Sequence, residues 1–140
     1  MSLHDQILEA DDIETEAVEM GEFTGWPGKV WIKGLEGTER DSYESSLRIF
    51  RGDEAIPDLV NMRAKLVVRT LVEEDGTRVF TDEEDGIVGR KSAKALDKLF
   101  DVAARLSALS KADVEELAKN SEAAPSGDST SSLPSDSAAL

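Results

Sequence analysis

Apolar residues recur along this chain with two different periods, and the changes of period mark its elements. Residues 3–10 (LHDQILEA) put Leu3, Ile7 and Leu8 on one face, the spacing of one or two helical turns. A helix this short needs tertiary contacts to persist. The period then shortens to two. Residues 13–20 (IETEAVEM) and 29–35 (KVWIKGL) read as strands, with Val30 and Ile32 alternating against Trp31 and Lys33. Gly25-Trp26-Pro27-Gly28 between them is a turn signal, so the pair predicts an N-terminal β-hairpin. Two strands alone are marginal, and the hairpin is expected to pack on the helices that follow.

The helical period returns after Gly37. Thr38 is a suitable N-cap, with Glu39 and Asp41 in the first turn, where the helix dipole favours acids. Tyr43, Leu47 and Phe50 fall at i, i+4 and i+7, a core-facing stripe that predicts a helix to about Arg51, with Gly52 as its stop. Pro57 suits the first turn of another helix. Val60, Ala64, Val67, Val68 and Leu71 continue it at helical spacing. Residues 66–72 (LVVRTLV) are also β-branched enough for a strand; the length of the periodic pattern favours helix.

Residues 74–77 (EDGT) form a turn before a short extended piece, Arg78-Val79-Phe80. Thr81 and Glu84 have the form of a capping box, predicting a short helix to Val88 closed by Gly89. The clearest stripe is Leu96, Leu99, Phe100, Ala103 and Leu106, on a helix opening near Ser92, with Asp101 four residues before Arg105. Ser110 opens a last short helix carrying Asp113, Val114 and Leu117. Residues 121–140 then hold seven serines and two prolines, with Leu133 and Leu140 as the only large apolar side chains. That segment cannot bury enough surface to offset its ordering entropy and is expected to be disordered. The predicted fold class is α+β, mainly α. An N-terminal β-hairpin packs on a small helical bundle, in one domain over 1–120 with a tail over 121–140.

Charge changes the picture of partners. The chain of 140 residues has 30 acids against 16 bases, a net charge of −14. That balance argues against gripping a nucleic-acid backbone and favours basic or apolar protein partners. Residues 1–22 hold eight acids and no Lys or Arg, whereas residues 56–110 carry ten acids and nine bases. The acidic arm reads either as a solubilising segment or as a contact for a basic partner. There is no cysteine, which excludes a disulfide scaffold, a zinc ribbon and a thiol nucleophile. No apolar run approaches a membrane span, and the N-terminus lacks the features of a signal peptide.

A search for catalytic chemistry returns nothing specific. His4 is the only histidine, with only Asp5 beside it and no nucleophile motif. Aligning Gly86 with the glycine of a calcium loop puts Thr81 first and Ser92 last, where Asp and Glu are required, so capping is the better reading. Gly21, Gly25 and Gly28 lack the spacing of a phosphate loop. Neither a metal nor a cofactor is expected. Trp26 remains as a candidate partner-binding residue: an aromatic in a Pro-Gly turn is either an exposed interface anchor or folded back over its hairpin.

Four phrases in order carry a resemblance. They are MSLHDQILEADDIETEAVEM, WIKGLEGTERDSYESSL, NMRAKLVVRTLVEEDGTRVFTDEE and KSAKALDKLFDVAARLSALSKADVEELAKN. Together, over residues 1–120, they resemble the tail assembly chaperones of long-tailed bacteriophages and prophages. The resemblance implies a non-enzymatic role in virion morphogenesis. The chain would coat the apolar tape-measure protein in several self-associated copies, help recruit tail tube subunits, act in the host cell cytoplasm, and be absent from the mature virion. It also implies a longer product made by a −1 ribosomal frameshift. Ala118-Lys119-Asn120 is compatible with codons GCA AAA AAC, which hold a slippery run. Two other classes compete: a structural head–tail or tail component, and an acidic DNA mimic. The balanced charge of 56–110 disfavours the mimic.

Overall fold

The computed structural model describes residues 1–109 and 112. The predicted last helix from Ser110, the tail over 121–140 and the Ala118-Lys119-Asn120 run lie outside those residues, Ala112 excepted. In chain order the elements are α1 (Leu3–Glu9), β1 (Thr15–Glu19), β2 (Lys29–Lys33), α2 (Gly37–Ser46), β3 (Arg48–Arg51), β4 (Glu54–Pro57), α3 (Met62–Thr70), β5 (Leu71–Val72), α4 (Asp85–Val88) and α5 (Ala93–Leu106). A 3-10 turn, Asp82–Glu84, leads into α4.

The expected N-terminal hairpin forms, with β1 antiparallel to β2 and Ala17 opposite Trp31. It gains a third strand, because β5 pairs with the other edge of β2, setting Trp31 against Val72 and Ile32 against Leu71. Period-2 alternation sends Val18, Val30 and Ile32 inward. There they meet α5 and α3, which pack along each other. The α5 stripe is as predicted for Leu96, Leu99, Phe100 and Ala103, all buried, with Leu106 half-buried. Ser92 caps the helix by accepting from the Ala95 N–H at 3.3 Å. Arg105 reaches across to Glu16 at 2.8 Å, tying α5 to β1.

Residues 66–72 resolve into both alternatives. Helix α3 runs to Thr70, and the chain turns extended at Leu71, whose φ is −75° and ψ 123°. The 74–77 turn forms with Gly76 at φ 94°. The Thr81 capping box also forms, the Thr81 N–H donating to Glu84 Oε1 at 2.8 Å.

Several expectations are corrected. Glu36, not Thr38, is the N-cap of α2, and its backbone N–H donates to Glu39 Oε1 at 2.9 Å. The helix stops at Ser46, because the next residues belong to a second hairpin. Arg48 pairs with Pro57, and Arg51 with Glu54, around the two-residue turn Gly52-Asp53. Gly52 takes φ 65°, which turns of this length demand and glycine meets without strain. Phe50 therefore lies on a strand, 70% exposed, and not in the core. Pro57 closes edge strand β4, where a missing N–H is tolerated, and does not open a helix. Helix α3 begins only at Met62, after Asn61 at φ 59°, so Val60 stays 70% exposed. Among the described residues, five strands in two sheets stand beside the helices, so the fold is mixed α/β.

Tyr43 and Leu47 of α2 remain buried as predicted. The Tyr43 hydroxyl donates to the Met62 carbonyl at 3.1 Å. Burial pushes its pKa up, against a smaller opposing pull from the Arg69 and then the Arg63 charge. The folded state thus holds the phenol neutral beyond its ordinary value of 10.0. Its contribution is whole below that pH and is lost as pH climbs through it. Tyr43→Phe is expected to cost about 1 kcal/mol near neutrality. Its melting temperature should then fall less than that of the native chain above about pH 10, as read by thermal melts across pH.

Candidate functional site: an apolar groove with a basic rim

The loop from β1 to β2 is shaped by its own backbone. The Met20 N–H donates to Gly28 O at 2.8 Å, and the Trp26 N–H to Phe23 O at 3.2 Å. Gly25 supplies the left-handed conformation, φ 84°. Helix α5 holds this loop through one side chain. Lys98 Nζ lies 2.8 Å from a Glu22 carboxylate oxygen, 5.8 Å from the centre of the Phe23 ring, and bonds the Glu19 carbonyl. The Lys98 hydrogen bond is the main reason the Glu22 pKa is lowered.

So held, the loop forms one wall of a groove of about 800 Å³. Val30, Val67, Leu71 and Val88 supply its buried floor. Trp26, Trp31, Phe80 and Ile87 also line it, and Ile87 is 63% exposed. Lys29, Arg90 and Lys91 add basic side chains to the lining. Among the described residues, Arg90 and Lys91 have no ion-pair partner, and Lys29 reaches Glu19 only at 4.0 Å. A strongly acidic chain thus lines this apolar groove with three basic side chains and one acid, Glu73.

Trp26 is half-buried and packs against the core, so it is folded back over its hairpin while still facing the groove. Sequence reasoning picked out this residue and missed the rest, since the groove is assembled from four separated segments. His4 is exposed, its Nδ1 3.0 Å from Asp5 Oδ1 on the outside of α1. Among the described residues no three or more His, Asp or Glu side chains gather as a metal site, and no helix is long and apolar enough to cross a membrane.

Other apolar side chains stand in solvent. Ile49 and Phe50 project from β3, and Leu59 and Val60 follow β4. Leu3, Ile7 and Leu8 are exposed on α1, which has no buried residue. An acidic body that displays an apolar groove and further uncovered apolar side chains is a protein-binding module. The chain belongs to the phage tail assembly chaperone family, whose family model matches residues 10–120. No match was found among curated proteins or among solved structures.

Proposed function

We propose that the chain acts by binding and not by catalysis. It coats the tape-measure protein in the host cell cytoplasm, keeps it soluble, helps bring tail tube subunits to it, and leaves before the virion is complete. The observation that carries this reading is the display of large apolar side chains, Phe50 and Val60 above all, on a chain of net charge −14. Exposed aromatics anchor partners by burying apolar area. The surrounding acids keep the complex in solution. We assign the tape-measure contact to the β3–β4 hairpin and the residues after it, and we take Trp26 as a partner-binding residue within the groove.

Co-expression with the tape-measure protein tests the reading. The native chain is expected to carry that protein into the soluble fraction. A central aromatic anchor contributes about 2 kcal/mol or more, so Phe50→Asp should weaken binding on the order of 30-fold. Full solubilisation by Phe50→Asp/Val60→Asp would move the contact elsewhere. A tape-measure protein that stays insoluble beside the native chain, or a chain found stoichiometric in purified particles, would refute the chaperone role.

A further inference from the structure

The chain has two tryptophans, Trp26 and Trp31, and both line the groove, beside Phe80. Its charged lining is Lys29, Arg90 and Lys91 against Glu73 alone, an inversion of the balance of a chain with net charge −14. Arg90 and Lys91 are exposed. Aromatic grooves receive extended proline-containing segments, whose backbone the ring has already restrained. Basic side chains in such a groove select a segment with acidic flanks.

One stretch of this same chain has that chemistry. Residues 121–140 lie outside the described part of the structure and carry Glu122, Asp128 and Asp136 with no Lys or Arg. Leu133-Pro134 stands between the two aspartates, an apolar pair with acid on both sides. The acidic stretch over residues 1–22 has no proline. Docking the pair orders only a few residues, and Pro134 has its φ fixed beforehand.

The connection is long enough. Ser92, where α5 starts, lines the groove. The 14 residues of α5 therefore put its far end at most about 21 Å away. Residues 110–120, if wholly helical and pointing away, add about 16 Å. Residues 121–132 reach roughly 40 Å when extended, which covers both. A tether of this length keeps the segment at an effective concentration on the order of millimolar, so a weak contact suffices.

We propose that residues 128–136 (DSTSSLPSD) dock in the groove of their own copy. Leu133 and Pro134 lie against the tryptophans, and Asp128 and Asp136 face the basic side chains. The segment is then a built-in competitor: any partner of the groove must displace it. The inference needs no tape-measure protein, and its failure would leave the chaperone reading standing.

Tryptophan emission reports on the groove alone, and its quenching by acrylamide in the full chain tests the proposal. The native chain is expected to be protected, and to lose protection as salt rises. Leu133→Asp/Pro134→Ser should lose it at every salt concentration. Arg90→Glu/Lys91→Glu should lose it too, and adding Asp128→Lys/Asp136→Lys to that variant should restore it, which a merely local disturbance of the groove would not allow. Unchanged melting temperatures of the Arg90→Glu/Lys91→Glu variant with and without the added lysines would show that both fold. Since the chain has no cysteine, a nitroxide on Ser132→Cys is unique, and it should quench the tryptophans equally at all protein concentrations. Equal acrylamide quenching of the native chain and Leu133→Asp/Pro134→Ser overturns the proposal. So does a nitroxide that leaves the emission unchanged. Nitroxide quenching that grows with protein concentration would seat the segment in another copy and overturn it as well.

Discussion

Phe100→Ala should remove about 3–5 kcal/mol of folding free energy, read as a lower urea midpoint with an unchanged slope. The ring is fully buried on α5, where that helix meets α3, and Arg63 stands 6.0 Å above it. Truncation would lose the transfer term and leave a hole between two helices and a sheet, which cannot close without moving all three. Domains of this size hold only about 5–15 kcal/mol in total, so the variant should be largely unfolded at modest denaturant. A midpoint shift smaller than that of an exposed change such as Val60→Ala would refute the assigned core.

Gly34→Ala should be the most damaging loss of a glycine, at about 1–3 kcal/mol. A Cβ there would sit 2.6 Å from the Leu106 carbonyl oxygen and 3.2 Å from its carbon, both backbone atoms at the end of α5. Neither can swing aside as a side-chain tip could. On the same stretch, the Leu35 N–H donates to Ser107 Oγ at 3.0 Å, so displacement would also strain that bond. Gly21→Ala is the control, with nothing within 4 Å of the added carbon. Equal melting temperatures for the two variants would contradict the close approach of sheet and helix.

These contacts also show which features the sequence could announce. The α5 stripe, the Ser92 cap, the first hairpin, the 74–77 turn and the Thr81 capping box are local patterns, and each is legible in a window of a few residues. The second hairpin was legible too, in Arg48-Ile49-Phe50-Arg51 and a Gly-Asp pair. Its signal was masked because Tyr43, Leu47 and Phe50 also fit a helical period. Strand β5 was beyond reach: two residues make a strand only because β2 offers an edge, a partner forty positions earlier. The groove is of the same kind, since Trp26 is conspicuous alone, but its floor comes from β2, α3, β5 and α4. The apolar face of α1 was visible in the sequence, whereas its lack of cover was not.

The Lys98 clasp on the first hairpin bears on the timing of association. By holding Glu19, Glu22 and Phe23 at once, it sets the wall that carries Trp26 before any guest arrives. A receptor made ready in advance loses little ordering entropy on capture. Encounter then sets how fast the guest enters, and residence time sets how tightly it is held.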